Sequence, residues 1–108
     1  MYTAIRKYYV VPGQVDEFMQ RVQAGFLPIV SDVSGFIAYY ALKVRNDEVA
    51  TVSIFNTQDG AEESTRRAAS WVERNIASLV QGLPEIMVGE VKVSGTAWRR
   101  STMPLLGT

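Results

Sequence analysis

The pattern of hydrophobic and polar positions divides the chain into four strands and two helices. Segments rich in β-branched and aromatic residues predict strands at 2–11, 35–45, 49–56 and 85–94. Two intervening segments repeat apolar residues every three or four positions, which predicts helices that each bury one face. Those faces carry Val15, Phe18, Met19, Val22, Phe26 and Ile29 in the first helix, and Ala61, Ala68, Trp71, Val72, Ile76 and Leu79 in the second. The predicted order is therefore β-α-β-β-α-β.

Turn-forming and capping residues mark the ends of these elements. We expect Pro28 to kink or end the first helix, because proline lacks the backbone donor that a helix interior needs. The pair 46–47 (Asn-Asp) suits the tight turn of a hairpin between the second and third strands. Thr57 or Asp59 can cap the second helix, and the segment 82–84 (Gly-Leu-Pro) should stop it.

This order predicts a split βαβ domain of the α+β class. Right-handed crossovers place both helices on one face of a four-stranded antiparallel sheet. The chain has 108 residues, which suits one domain. We assign residues 1–95 to that domain and residues 96–108 to a C-terminal tail.

The second predicted strand has apolar side chains on both faces. Regular alternation puts Phe36, Ala38, Tyr40, Leu42 and Val44 on one face, and Ile37, Tyr39, Ala41 and Lys43 on the other. A sheet with one face in water would alternate apolar and polar residues, and each large apolar side chain left exposed forgoes about 1.5–3 kcal/mol of burial. We therefore expect a homodimer in which two copies cover each other's sheet. The alternative is that Tyr39 and its neighbours are tolerated surface aromatics.

The tail contains apolar residues that a four-stranded monomer does not accommodate. They are Trp98, Met103, Leu105 and Leu106. We expect residues 96–108 to pack on the partner protomer, and the alternative is a frayed terminus.

Charge and composition exclude several classes of function. Eleven basic and eleven acidic residues cancel, so no long-range field attracts nucleic acid or an anionic membrane. Cysteine and histidine are both absent, which excludes disulfides, thiolate catalysis, a Ser-His-Asp triad and histidine-ligated metals. The absence of cysteine fits a reducing compartment, and the first residues show no signal-peptide pattern, so we expect a cytoplasmic protein.

Several short motifs, taken in order, resemble one family. Segment 12–18 (PGQVDEF) is similar to the entry into the first helix of the antibiotic biosynthesis monooxygenase-like proteins, which belong to the dimeric α+β barrel superfamily. Segment 34–40 (SGFIAYY) resembles the start of their second strand, and 52–55 (VSIF) with the helix 61–72 resembles their third strand and second helix. Segment 89–91 (GEV) resembles their last strand. The resemblance covers about residues 2–94.

The resemblance implies a ferredoxin-like protomer, a dimeric barrel and a pocket between the helices and the sheet of each protomer. Characterised members of such families include cofactor-independent monooxygenases that oxidise electron-rich aromatic polyketides, and haem-degrading monooxygenases. In the first group a tryptophan on the second helix, an asparagine one turn earlier and a tyrosine are implicated. Trp71 matches the tryptophan, but Arg67 stands where the asparagine would be. Haem degradation is rejected, because the chain has no histidine and its first strand has no asparagine.

Five residues are our candidates for binding a ligand: Trp71, Arg67, Tyr40, Tyr8 and Arg6. Trp71 either fills the core or lines a pocket. Arg6 lies in the middle of a strand, where a buried guanidinium needs an anion. That anion is either Glu90 on a neighbouring strand, which we prefer, or part of a ligand. Glu62–Arg66 and Glu63–Arg67 are expected to form ion pairs along the exposed helix face.

Two hypotheses for function remain. The first is a homodimeric, cofactor-independent monooxygenase-like protein that binds an aromatic or apolar small molecule. The second is a non-catalytic homodimer with a ligand-binding or structural role. No cofactor, metal, nucleic acid or membrane partner is expected in either case. An open pocket of a few hundred Å³ beside Trp71 would favour ligand binding, and a filled gap would favour the structural role.

Overall fold

The structure, a computed structural model, describes residues 1–97 and has the predicted order of strands and helices. The strands are β1 (Tyr2–Tyr9), β2 (Phe36–Arg45), β3 (Glu48–Phe55) and β4 (Glu85–Glu90). The helices are α1 (Val15–Arg21), α2 (Leu27–Ser31) and α3 (Gln58–Asn75), with a π-helical segment at Val22–Phe26 and a short 3₁₀ turn at Ala77–Leu79. The fold is a ferredoxin-like α+β fold.

The four strands form one antiparallel sheet in the order β2-β3-β1-β4. Strands β2 and β3 form the predicted hairpin, and β1 lies between β3 and β4. All helices cover one face of this sheet. The core between the two layers contains Ala4 and Tyr8 from β1, Phe18 and Phe26 from the first helical region, and Ala68 from α3.

The first helical region continues past Pro28 to Ser31, so the prediction that this proline ends the helix is wrong, and a kink at Pro28 stays a prediction. The π-helical segment Val22–Phe26 widens the turn just before it, and Pro28 then occupies the first turn of α2, where a missing N–H costs little. The wider turn also moves the buried face. Val30 is fully buried, whereas the predicted core residue Ile29 is only partly buried.

Helix α3 begins as predicted and ends earlier. The Thr57 side chain accepts a hydrogen bond from the Gly60 N–H at 3.1 Å, so Thr57 is the cap. The helix ends at Asn75 and gives way to the 3₁₀ turn, several residues before Gly82.

A bulge in β2 changes the face assignment that regular alternation predicts. Phe36 pairs with Phe55 and Ala38 pairs with Ile54, which leaves Ile37 as the extra residue. Phe36 and Tyr39 therefore both lie on the helix side, and the prediction that Phe36 shares a face with Tyr40 is wrong. Strand β4 is also shorter than the predicted 85–94.

The face of the sheet away from the helices carries a row of apolar side chains across all four strands. Tyr40 pairs with Val52, Val52 with Ile5, and Ile5 with Met87. Tyr40 is 59% exposed and Met87 65% exposed. We call this surface the open face. The apolar row on the open face confirms the prediction that both faces of the sheet carry apolar side chains.

Two further expectations bear on the rest of the chain. The prediction for the tail concerns residues 96–108, and residues 98–108 lie outside the described part of the chain. Within residues 1–97 no helix is long and apolar enough to cross a membrane.

Candidate functional site

Arg6 lies at the centre of the layer between the helices and the sheet. It is on β1 between Thr51 of β3 and Ile86 of β4, and its side chain points to the helices together with those of Ala4 and Tyr8. Only 1% of its surface is exposed. A guanidinium so deeply buried in a small protein requires partners that offset its desolvation.

The protein partners of the Arg6 guanidinium are hydroxyl groups. Its Nη2 donates to Ser53 Oγ at 2.9 Å, and its Nη1 donates to Thr65 Oγ1 at 3.3 Å and to Ser64 Oγ at 3.5 Å. The two α3 hydroxyls direct their own hydrogens to the Ala61 carbonyl, which leaves their oxygens facing the guanidinium. The charge is therefore solvated by neutral oxygens.

The predicted ion pair between Arg6 and Glu90 is wrong. Glu90 pairs with Tyr2 in the β1–β4 register, four residues along the strand from Arg6, and its carboxylate contacts Lys92 at 3.1 Å. Among residues 1–97, no carboxylate oxygen lies within 4.0 Å of the Arg6 guanidinium. The Arg6 Nε–H also has no hydrogen-bond partner within the described chain. The ring of Phe26 lies below the guanidinium, 5.8 Å from Cζ to the ring centroid.

A cavity of about 430 Å³ opens next to Arg6, between α3, β1 and the segment that leads into β4. We call it the Arg6 cavity. Its walls are Arg6 and Tyr8 from β1; Thr65, Ala69, Val72, Glu73 and Ala77 from α3 and the turn after it; Val80, Gly82, Leu83 and Pro84 from the segment leading into β4; and Ile86 from β4 itself. Most of this lining is apolar. Gly82 has a φ of +69°, which a side chain would strain, so this glycine lets the outer wall turn back over the cavity.

The gap directly beside Trp71 is filled by side chains. It holds only about 10 Å³ of free space and lies between Arg6, Tyr39 and Phe26 on one side and the α3 residues on the other. The Trp71 and Phe26 ring centroids are 5.7 Å apart. A Cβ on Gly25 would lie 2.7 Å from Trp71 Cζ2, so the indole packs against bare backbone of the π-helical segment. Trp71 is thus held as a packing residue, and the open space lies on the other side of Val72.

Two tyrosines flank the buried charge. Burial raises the pKa of Tyr39 to about 12, and the nearby Arg6 charge offsets only part of this. Burial likewise raises the pKa of Tyr8, again with a smaller opposing effect of Arg6. Both phenols are therefore protonated at neutral pH, so neither is available there as a general base.

The structure brings together some of the predicted site residues and separates others. Arg6 and Tyr8 line the cavity, and Trp71 lies in the adjoining filled gap. Arg67 points to the surface, where its Nε contacts Glu63 at 2.8 Å. Tyr40 lies on the open face, away from the helices.

The ion pairs predicted on the surface of α3 form only in part. The Glu63–Arg67 pair is present, but Arg66 also contacts Glu63, at 2.8 Å. Glu62 instead accepts a hydrogen bond from Gln58, so the predicted Glu62–Arg66 pair is wrong.

Sequence reasoning missed the hydroxyl groups that hold Arg6. A signal was present in β3, where Thr51 and Ser53 occupy the core-facing positions between Val49 and Phe55. Small polar residues on the buried face of a strand indicate a buried polar partner. Nothing in the helical period of α3 singles out Ser64 in the same way.

The described residues contain no group of three or more Asp, Glu, His or Cys side chains that could hold a metal ion. The groups that surround the Arg6 guanidinium are hydroxyls and aromatic rings.

Solved structures share the fold over most of the chain. A protein of unknown function from Nitrosomonas europaea, NE2512, has a TM-score of 0.74 and 22% identity, and the match covers 88% of this chain and 92% of that one. The monooxygenase ActVA-Orf6 of Streptomyces coelicolor, solved in complex with the ligand nanaomycin D, has a TM-score of 0.71 and 15% identity, with 88% and 90% covered. Rv0793 from Mycobacterium tuberculosis has a TM-score of 0.69 and 10% identity, with 88% and 98% covered. At these identities the likeness shows the fold alone.

Sequence comparison gives the family. No functionally curated protein is detectably similar to the chain. The family model described as antibiotic biosynthesis monooxygenase matches residues 1–70, which is more than half of the chain and includes Arg6, Tyr8 and the hydroxyls of β3 and α3. The outer wall of the cavity, residues 77–86, lies beyond the matched part. The chain therefore belongs to the antibiotic biosynthesis monooxygenase family.

Proposed function

We propose that the protein is a homodimeric monooxygenase that binds an aromatic or apolar small molecule in the Arg6 cavity and oxidises it with O₂, without a metal or flavin. The observation that carries this proposal is the cavity itself: about 430 Å³ of mostly apolar space that ends on a buried guanidinium. Small-molecule sites are typically apolar cavities of 300–1,000 Å³ with a few polar groups that fix the ligand's orientation.

The proposed reaction requires few chemical groups from the protein. In oxygenation without a cofactor, the ionised substrate itself gives an electron to O₂, so the protein has to bind it, orient it and favour its anion. A guanidinium in a water-poor site stabilises a substrate anion more strongly than it would in water. We assign this role to Arg6, and to Tyr8, which lines the same cavity, a hydrogen bond to a substrate oxygen.

A relative with the same fold supports the choice of ligand. ActVA-Orf6 is a monooxygenase and was solved with nanaomycin D, an aromatic ligand. Membership of the same family makes a ligand of the same broad class a reasonable first test for the Arg6 cavity.

The homodimer is proposed from the open face. Tyr40, Leu42 and Met87 are 59%, 44% and 65% exposed there, and a second copy offers a matching apolar surface. Two charges on this face are paired within the protomer, since Lys7 contacts Glu48 at 3.1 Å. The Glu85 carboxylate on the same face accepts a hydrogen bond from the neutral Tyr9 hydroxyl, so Lys7 and Glu48 would keep their partners, and Glu85 its donor, between two copies.

The second candidate function is a non-catalytic, ligand-binding or structural homodimer. It is favoured by the filled gap beside Trp71 and by Arg67, which occupies the position of an implicated asparagine and is engaged by Glu63. In this case the Trp71 side chain would serve only to join α3 to the π-helical segment.

Oxygen consumption distinguishes the two functions. Wild-type protein is supplied with anthrone- and quinol-type substrates in an oxygen electrode, beside a variant in which Ala69→Trp fills the cavity. The matched control Gln20→Trp places the same side chain on the exposed face of α1. We expect the wild type and the control to consume oxygen at similar rates. The rate should fall at least about tenfold in Ala69→Trp, because a substrate held out of position reacts that much more slowly. In Trp71→Phe the rate should fall by less. If no substrate is oxidised faster than in buffer, the non-catalytic function is favoured.

A further inference from the structure

We propose that the inner end of the Arg6 cavity is an anion subsite, so that the protein selects ligands with an acidic oxygen, a carboxylate or an ionised phenol or enol, attached to an apolar body. This inference rests on the proposed function only in using the same cavity. It defines the class of ligand and does not require that the ligand be oxidised.

The first support is the charge balance around Arg6. The guanidinium carries its positive charge at any physiological pH and is 1% exposed. Its protein partners are the hydroxyls of Ser53, Ser64 and Thr65, which solvate a cation but do not neutralise it. A buried cation without a counter-charge in the described chain is a site at which an anionic ligand gains more than a neutral one.

The second support is an unused donor. The Nε–H of Arg6 is buried and has no hydrogen-bond partner in the described chain, whereas the Nη1 and Nη2 nitrogens are engaged. A buried donor without a partner costs free energy until something accepts from it. An acidic oxygen that reaches the guanidinium would therefore find a donor still free, and it would provide the counter-charge that the described chain lacks.

The third support is the distribution of polarity along the cavity. Arg6 and Tyr8 form its inner wall, while Val72, Leu83 and Ile86 line the rest. Glu73 is the one carboxylate among the lining residues, and it is exposed, so it disfavours an anion at the mouth and not at the inner end. This arrangement orients a ligand with its acidic group inward and its apolar body between α3 and the residues before β4.

Calorimetry with matched pairs of probes tests the anion subsite. The pairs are benzoate and benzamide, 2-naphthoate and 2-naphthamide, and 1-hydroxy-2-naphthoate and its amide. Within each pair the shape is nearly the same, and a neutral NH₂ group replaces one oxygen of the charged carboxylate. We expect at least one carboxylate to bind the wild type about tenfold to a hundredfold more tightly than its amide, because a hydrogen bond to a charged group contributes that much.

Variants connect the preference to the residue. Arg6→Gln removes the charge and should bring the affinity ratio of acid to amide to about one, while the affinity for the amide changes little. Arg6→Lys keeps the charge and should retain part of the preference. Glu73→Gln, which leaves the inner end intact, should keep the preference or increase it. Thermal unfolding of each variant establishes that it is folded.

The outcomes separate this inference from the proposed oxygenase. Equal affinity for acid and amide, a preference that survives in Arg6→Gln, or no measurable binding of any carboxylate would each overturn the anion subsite. A clear preference for acids with no oxygen consumption would uphold the subsite and contradict only the oxygenase. Turnover of neutral substrates with no preference for acids would uphold the oxygenase and contradict the anion subsite.

Discussion

Arg6 is the residue whose environment is least explained by packing alone. Its guanidinium is buried among three hydroxyls and above the ring of Phe26, and the nearest charges of the described chain do not reach it. A protein that needed only a filled core would be better served by an apolar side chain of similar size, because burying a charge costs several kcal/mol. The position is therefore better suited to binding than to stability.

Arg6→Met tests whether this guanidinium contributes to the stability of the fold. The substitution removes the buried charge and keeps much of the side-chain volume. We expect the free energy of unfolding to fall by less than about 2 kcal/mol, because losing the charge removes its desolvation cost while the buried Ser53 hydroxyl loses its donor. Urea unfolding followed by circular dichroism at one fixed protein concentration measures it. A loss of 3 kcal/mol or more, as is typical when one partner of a buried ion pair is removed, would show that Arg6 is a structural residue.

Ionisation of Tyr39 should lower the free energy of unfolding at alkaline pH. Its pKa is raised in the folded protein from 10.0 to about 12, so the unfolded chain ionises first as the pH rises. The contribution of Tyr39 to the free energy of unfolding is therefore complete below pH 10.0 and is lost as the pH rises toward 12. This loss is on the order of 2 kcal/mol. We expect Tyr39→Phe to flatten the fall in unfolding free energy across this range. An unchanged slope in Tyr39→Phe would show that this phenol is not the responsible group.

At the scale of the elements, the π-helical segment Val22–Phe26 determines how α1, α2 and α3 pack. It lets the helical region continue past Pro28 to Ser31 and places Gly25 against the Trp71 ring. A π turn inside a helix has a poorer hydrogen-bond geometry than an α turn, and such turns are often found at functional sites. Here the turn lies beside the filled gap that adjoins the Arg6 cavity.

Gly25→Ala tests this packing. Alanine favours helix by about 1 kcal/mol over glycine, but its Cβ would lie 2.7 Å from Trp71 Cζ2. We expect a net destabilisation of about 1–3 kcal/mol from overpacking, measured by urea unfolding.

Two further variants show whether the indole causes that loss. In Gly25→Ala combined with Trp71→Phe, which removes the clashing ring atoms, the two effects should be less than additive. Gln23→Ala, in the same segment and exposed, should have little effect. Full additivity of the two substitutions would argue against a direct contact.

The sequence was a good guide to the order of the elements and a poor guide to local irregularities. Apolar periodicity and the Thr57 cap predict the strands and α3 because these depend on neighbours in the chain. The bulge at Ile37 and the π turn before Pro28 depend on which side chains fit against the opposite layer. Periodicity carries no signal for either one.

The candidate site was predictable only in part, for a similar reason. Arg6 and Tyr8 stood out because a charge and a hydroxyl lay in the middle of an apolar strand. Their actual partners come from β3 and α3, which are far away in the chain. Glu90 was a plausible partner on charge alone, but the β1–β4 register places it opposite Tyr2.

At the scale of the whole molecule, the open face is the feature that a monomer does not explain. We expect the wild type to sediment at twice its chain mass of 12.0 kDa. Met87→Lys places a charge in the middle of the apolar row and should shift the equilibrium toward the monomer, because an unpaired charge buried in an interface costs several kcal/mol. The control Gln20→Lys, on the exposed side of α1, should remain dimeric. A wild type that sediments as a monomer at all concentrations would contradict the dimer.

Nuclear magnetic resonance can show whether this protein binds its ligand in the Arg6 cavity. A titration of ¹⁵N-labelled protein with 2-naphthoate follows the Arg6 Nε–H signal together with the backbone amides. We expect a large shift of that side-chain signal and of the amides of Tyr8, Val72 and Leu83, which line the cavity. Shifts confined to Tyr40, Leu42 and Met87 on the open face, with the Arg6 signal unmoved, would contradict it.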